Sequence, residues 1–134
     1  MFTKRAMLAG ASALLATPQI SRAQGTWPNG PIRIVVPFPP GGSTDALARL
    51  LQPHLQADLG VSIIVENRGG ASGSLGTAQV ARAAPDGNTW LIVFDTHAVN
   101  PSLIPNMGFD TERDLTSLLL FGTAPRVMTA HRTR

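Results

Sequence analysis

The chain has 134 residues and a formal net charge of +3, and 43% of its residues are hydrophobic. This length suits one domain, and the hydrophobic content is sufficient for a packed core, so disorder is not expected. Because the sequence contains no Cys and only 5% aromatic residues, it excludes disulfides and Cys chemistry, and it argues against nucleic-acid modules that stack bases.

The first 23 residues carry the whole net charge, and they are typical of a secretory signal peptide. Lys4 and Arg5 precede an apolar run over residues 6–16, which is too short to span a bilayer stably. Small residues at positions 21 and 23 predict cleavage after Ala23. We therefore expect export to a bacterial periplasm. The alternative is a buried or membrane-anchoring N-terminal helix.

Strands and helices alternate along the predicted mature chain, residues 24–134. A β-branched run over residues 32–36 predicts the first strand. A Pro/Gly loop leads to a helix capped by Ser43 or Thr44, kinked at Pro53 and stopped by Gly60. The later predicted elements are, in order, a strand over 61–66, a Gly/Ser loop over 67–74, a helix over 75–83, a strand over 89–94, a loop over 95–101, an irregular stretch over 102–114, and strands over 115–121 and 126–130.

This alternation predicts an α/β fold with a parallel sheet covered on both faces. In such a sheet the ligand crevice lies beyond the carboxyl ends of the strands, where the loops over 37–44, 67–74 and 95–101 meet. Two of these loops run into helix N-termini, whose free N–H groups and dipole favour anions. The sequence therefore predicts a small anion, such as a carboxylate, held largely by backbone amides. The alternative is that these loops only turn the chain.

Two side chains near this crevice, Asp45 and His97, are compatible with other functions. Asp45 either caps its helix or contacts a ligand amine or hydroxyl. The sequence has no Walker A loop and no G-x-S-x-G motif, and His54, His97 and His131 lack metal-ligand spacing. We therefore expect no catalytic residue, metal or cofactor. A small secreted α/β hydrolase-like enzyme using Asp45 or His97 is one alternative, and an interaction module that pairs its sheet with another chain is a second.

Several motifs in consecutive order resemble those of one family. Residues 27–45 read W-P-x-x-P-I-R-I-V-V-P-F-x-P-G-G-x-x-D, and residues 65–73 read V-E-N-R-x-G-A-x-G. The motifs A-A-P-D-G-x-T over 83–89 and T-H-A-V-N-P over 96–101 follow. This series resembles the tripartite tricarboxylate transporter substrate-binding proteins, the Bug-type periplasmic receptors.

The resemblance implies one parallel-sheet lobe of a two-lobed, periplasmic-binding-protein-like fold (flytrap, type II). Family members bind small carboxylates, such as di- and tricarboxylates, amino acids or aromatic acids, and deliver them to membrane permease subunits. By position, the family's ligand-binding loops correspond to Phe38, Gly41, Gly42, Ser43, Asp45, Ala71, Ser72, Gly73, Thr96, His97 and Ala98. No cofactor, nucleic acid or membrane insertion after signal cleavage is implied.

Family members have a mature chain more than twice as long as this one. The resemblance therefore implies that residues 24–134 form a partial first lobe without the second lobe. Because such receptors close one lobe over a ligand held by the other, we expect a truncated chain to be poorly stable and impaired in ligand binding.

Overall fold

Three parallel strands form the centre of the computed structural model, which describes residues 27–124. β1 (Ile32–Val36) lies between β2 (Ile63–Asn67) and β3 (Thr89–Leu91), so the strand order is β2-β1-β3. Both neighbours run parallel to β1, with Ile34 opposite Val65 on one side and Trp90 on the other. The predicted parallel α/β sheet is confirmed.

The main aliphatic cluster lies on one face of β1, because successive side chains of a strand point to opposite faces, and Val35 is buried on the other face. Ile32, Ile34 and Val36 are fully buried on this face, where they form a cluster with Ala48, Ile63 and Ile92. Leu47, Leu55 and Leu59 of the first helix pack against the same cluster. Burial of these aliphatic side chains supplies the main driving force for folding of this lobe.

Three helices and one short turn surround the sheet. They are α1 (Ser43–Leu59), a 3₁₀ turn (Ala71–Gly73), α2 (Ser74–Ala81) and α3 (Thr96–Leu103). α1 packs against β1 and β2, whereas α2 packs against β1 and β3. In the residues that the structure describes, no helix is long and apolar enough to cross a membrane.

The ends of α1 differ in part from the prediction. Gly60 ends the helix in the left-handed conformation, as expected, and the helix continues through Pro53. However, the N-cap is Gly42, and neither Ser43 nor Thr44 acts as a side-chain cap. The first helical bond joins the Ala46 N–H to the Gly42 carbonyl, at 2.9 Å, so the helix begins one residue earlier than a Ser43 cap would set it and two residues earlier than a Thr44 cap would.

Two other sequence predictions are wrong. The stretch over 95–101 contains most of α3 rather than a loop: the helix continues through Pro101, and the Ile104 N–H bonds to the Asn100 carbonyl at 2.8 Å at its end. Residues 115–121, predicted as a strand, have no regular structure, and the side chains of Leu118, Leu119 and Leu120 are exposed. Within the described residues they do not pair with the sheet. The predicted signal peptide over 1–23 and the strand over 126–130 lie outside the described residues.

Candidate functional site

The carboxyl ends of the three strands bring the predicted loops into contact. The Phe38 and Phe94 rings, which follow β1 and β3, lie 5.3 Å apart between centroids. The loop after β1 also touches α2, since a Cβ built on Gly76 would lie 2.8 Å from Pro37 Cβ and 2.7 Å from the Arg68 carbonyl oxygen. Only a glycine permits this close approach. The segments after all three strands therefore share one edge of the sheet.

The first segment contains Phe38, Gly41, Gly42, Ser43 and Asp45. Gly41 has φ +86°, a left-handed conformation that turns the chain into α1. Gly41, Gly42 and Ser43 are all exposed at this turn. Since the first N–H groups of a helix have no intrahelical acceptor, the start of α1 offers backbone donors next to exposed residues.

The second segment is a left-handed turn of four residues. Gly70, Ala71, Ser72 and Gly73 have φ values of 132°, 46°, 53° and 89°. This conformation of Ala71 and Ser72 costs free energy, because residues with a side chain rarely adopt it. The turn places exposed Ala71 and Ser72 directly before α2, with Gly73 buried beneath them.

Hydrogen bonds hold this strained turn in place. The Gly73 N–H donates to the Gly70 carbonyl at 2.9 Å, and the Ser74 hydroxyl donates to the Ala71 carbonyl at 2.8 Å. From α3, the buried Asn100 side-chain amide donates to the Ser72 carbonyl at 3.0 Å. The sequence prediction missed Asn100, because a lone Asn before Pro gives no local signal that it reaches a distant turn.

The third segment, Thr96, His97 and Ala98, forms the first turn of α3. Thr96 and His97 are half-buried, and Ala98 is exposed. Burial lowers the pKa of the His97 imidazole below its ordinary value, which favours the neutral ring. The His97 N–H donates to the Phe94 carbonyl at 3.0 Å, so this backbone group is already bonded within the protein.

Asp45 is surrounded by donors from three parts of the chain. Arg49 Nε lies 3.0 Å from Asp45 Oδ2, the Gly41 N–H donates to the same oxygen at 2.8 Å, and Asn67 Nδ2 donates to Oδ1 at 3.0 Å. These hydrogen bonds, the one from Arg49 first, lower the pKa of the Asp45 carboxyl to about 2. The ionised carboxylate is thus engaged with protein donors and is charge-compensated by Arg49.

Arg49 and Asn67 were not among the predicted site residues. The i, i+4 spacing of Asp45 and Arg49 on a helix was a usable signal for their ion pair. The contact from Asn67 depends on the position of β2 beside β1 and has no local signal in the sequence.

The arrangement is suited to binding an anion through backbone N–H groups. In the described residues, no group of three or more His, Asp or Glu side chains could hold a metal ion. A depression of about 740 Å³ lies elsewhere, between α3 and the chain that follows it, and of the predicted residues it includes only Ala98. The predicted site residues lie in the segments after the three strands rather than around this depression.

Known proteins are similar to this chain in sequence. The family model for tripartite tricarboxylate transporter family receptors matches residues 47–133. Protein BugT of Bordetella pertussis is 40% identical over 126 residues, which cover 91% of this chain and 39% of BugT. The chain therefore spans well under two thirds of the length of this curated relative.

Solved structures share the fold. Periplasmic binding protein BugD is 43% identical with a TM-score of 0.63, over 66% of this chain and 29% of BugD. MatC from Rhodopseudomonas palustris, solved with bound malate, is 38% identical with a TM-score of 0.61, over 66% of this chain and 30% of MatC. A further R. palustris protein, solved with adipate, is 37% identical with a TM-score of 0.60, over 64% of this chain and 29% of that protein.

These findings confirm the resemblance seen in the sequence and the assignment of the fold to one α/β lobe of a periplasmic binding protein. The family is one of receptors and BugD is a binding protein, in agreement with the prediction of a receptor rather than an enzyme. Since the family model matches most of the sequence, the chain belongs to the tripartite tricarboxylate transporter family receptors.

Proposed function

We propose that this protein is a periplasmic receptor for a small carboxylate, which it holds at the carboxyl ends of β1, β2 and β3. The observation that carries the proposal is that the loop leading into α1 lies against the chain that forms the left-handed turn over residues 70–73, since a Cβ built on Gly73 would lie 3.3 Å from Phe38 Cζ. Both offer backbone N–H groups to an anion. Relatives of the same fold were solved with malate and adipate, which are dicarboxylates.

The proposed contacts come from three segments. Gly41, Gly42 and Ser43 present the α1 N-terminus, and Phe38 forms an apolar wall beside Phe94. The remaining members of the proposed site are Ala71, Ser72 and Gly73 of the turn, and Thr96, His97 and Ala98 of α3. Asp45 belongs to the site through its bond to the Gly41 N–H. Since Arg49 compensates its charge, Asp45 does not exclude an anionic ligand.

Export and transport complete the proposal. We place the mature protein in the periplasm after removal of residues 1–23, and we expect it to deliver its ligand to the membrane subunits of a tripartite tricarboxylate transporter. The family match and the periplasmic binding protein BugD support this role. In a two-lobed receptor the described lobe would form one wall of the cleft, and a second lobe would close over the ligand.

Paired glycine substitutions test the site. Gly41 and Gly60 both have left-handed φ, +86° and +69°, and a Cβ at either position meets no atom within 4 Å. Gly41→Ala and Gly60→Ala therefore carry a similar backbone cost of about 1 kcal/mol. We expect the Kd for malate or adipate, measured by titration calorimetry, to rise in Gly41→Ala only. Equal Kd values in the two variants would contradict the proposed site.

A further inference from the structure

Three side chains from two elements form a closed set of hydrogen bonds next to the proposed site. Asp45 and Arg49 lie on successive turns of α1, and Asn67 is the last residue of β2. Arg49 Nε donates to both carboxylate oxygens of Asp45, at 3.1 and 3.0 Å, and Arg49 also donates to Asn67 Oδ1 at 3.2 Å. Asn67 Nδ2 donates to Asp45 Oδ1 at 3.0 Å, which completes the set.

Two of these side chains, Asn67 and Asp45, hold both ends of the loop after β1. Asn67 Nδ2 also donates to the Phe38 carbonyl at 3.2 Å, at the start of the loop. Asp45 Oδ2 accepts the Gly41 N–H at 2.8 Å, at its end. The loop over residues 38–41 is thereby tied to α1 and to the end of β2 at once.

Burial makes this set sensitive to the loss of any member. The Asp45 side chain is only 5% exposed, whereas Arg49 is 52% exposed. A buried carboxylate is costly unless every oxygen is paired, and both oxygens of Asp45 are paired here. Removing one donor would leave the Asp45 carboxylate, which also bonds to the Gly41 N–H, poorly solvated. We therefore expect the loop over residues 38–41 to move so that water can reach this carboxylate.

We infer that Asp45, Arg49 and Asn67 act as a clamp that holds the loop over residues 38–41 in its binding conformation, so that ligand affinity depends on residues that do not touch the ligand. This inference rests on the proposed function. A loop fixed before binding loses less conformational entropy when the ligand arrives, and affinity rises accordingly. The clamp residues are positioning residues, in contrast to the exposed backbone N–H groups that would meet the carboxylate.

The first test compares two Arg substitutions in the proposed mature chain, residues 24–134. Arg49→Gln removes the guanidinium from the clamp, and Arg113→Gln removes one from an exposed ion pair with Asp114 outside the site. Malate and adipate are titrated at a temperature well below the unfolding transition of each variant. We expect the Kd to rise about tenfold or more in Arg49→Gln, because the loss of one charged hydrogen bond has an effect of that size. In Arg113→Gln the Kd should stay within about twofold of the wild-type value.

An exchange of side chains separates positioning from general destabilisation. Asn67→Asp places two carboxylates in contact and should weaken binding further. The double variant Asp45→Asn with Asn67→Asp again pairs one amide with one carboxylate beside Arg49. It should bind more tightly than Asn67→Asp alone, although the Phe38 carbonyl lacks its donor in both.

Outcomes for the clamp and for the proposed function are distinguishable. Wild-type Kd values in folded Arg49→Gln and Asn67→Asp would overturn the clamp and leave the receptor proposal standing. If the wild-type chain binds no carboxylate, the proposed function fails. The clamp is then judged by the Gly41 amide proton in NMR spectra, which should shift in Arg49→Gln and not in Arg113→Gln. An unchanged Gly41 resonance would overturn the clamp independently.

Discussion

The side-chain amide of Asn100 donates a hydrogen bond of 3.0 Å to the backbone carbonyl of Ser72, across 28 positions of sequence. Ser72 lies in the left-handed turn before α2, with φ +53°, and Asn100 is buried in α3. This one contact joins the segment after β3 to the segment after β2. The shape of the site thus depends on a residue that was not among the predicted site residues.

Asn100→Ala should loosen the turn over residues 70–73. Because the turn stores strain at Ala71 and Ser72, the loss of its bond from α3 should cost about 1 kcal/mol or more in the free energy of unfolding. Hydrogen exchange at the amides of residues 71–74 should accelerate. Asn29→Ala, which removes an exposed bond to Asn88, is the control and should leave this exchange unchanged.

Gly76→Ala should destabilise the contact between the first loop and α2. A Cβ at this position would lie 2.7 Å from the Arg68 carbonyl oxygen and 2.8 Å from Pro37 Cβ, so backbone must shift. We expect a loss of about 1–3 kcal/mol in the free energy of unfolding by denaturant. Gly30→Ala meets no atom within 4 Å and should be nearly neutral. Equal losses in both variants would contradict the close approach of α2 to Pro37.

Ile34→Ala should be among the most damaging core substitutions. Ile34 is 1% exposed at the centre of β1, whereas Ile64 on the adjacent strand is 44% exposed. Truncation of a fully buried Ile typically costs about 2–5 kcal/mol. We expect a loss of this size for Ile34→Ala and a much smaller one for Ile64→Ala, measured by denaturant unfolding. A similar loss of stability in both variants would contradict the assignment of the core to the face of the sheet that carries Ile34.

Acid should weaken the fold through Asp45. Its pKa falls from 3.8 to about 2 in the folded chain, so the folded state favours the ionised carboxylate. The resulting stability is present above pH 4 and is lost as the pH falls toward 2. Arg49→Gln removes the largest cause of the shift, so its stability should change less between pH 4 and pH 2. Arg82→Gln, which removes a guanidinium that donates to the Gly108 carbonyl at 3.4 Å, should retain the wild-type pH dependence.

The sequence was informative where local patterns decide the structure. The β-branched run of β1, the Leu spacing of α1 and the stop at Gly60 follow from side-chain chemistry within a few residues. The N-cap was misplaced because Asp45 bonds to the Gly41 N–H and to distant Asn67, which no local cap rule includes.

Elements that depend on distant neighbours were harder to predict. Residues 115–121 are apolar enough for a strand, but a strand needs a neighbour, and within the described residues the sheet has only three strands. α3 was predicted as a loop over 95–101, but the helix runs through Pro101, which removes one helical N–H. The segments after the three strands lie at one edge of the sheet, as predicted, since parallel strands place their carboxyl ends together, although the third segment is helical.

A carboxylate titration of the ¹⁵N-labelled chain, followed by NMR, tests directly whether the strand ends form the binding site. If malate or adipate binds as proposed, saturable shifts should be confined to amides of residues 41–45, 71–74 and 96–98. Acetamide, which is uncharged, should cause none. Saturable shifts that instead cluster at residues 104–112, around the depression beside α3, would contradict the central claim that the strand ends form the binding site.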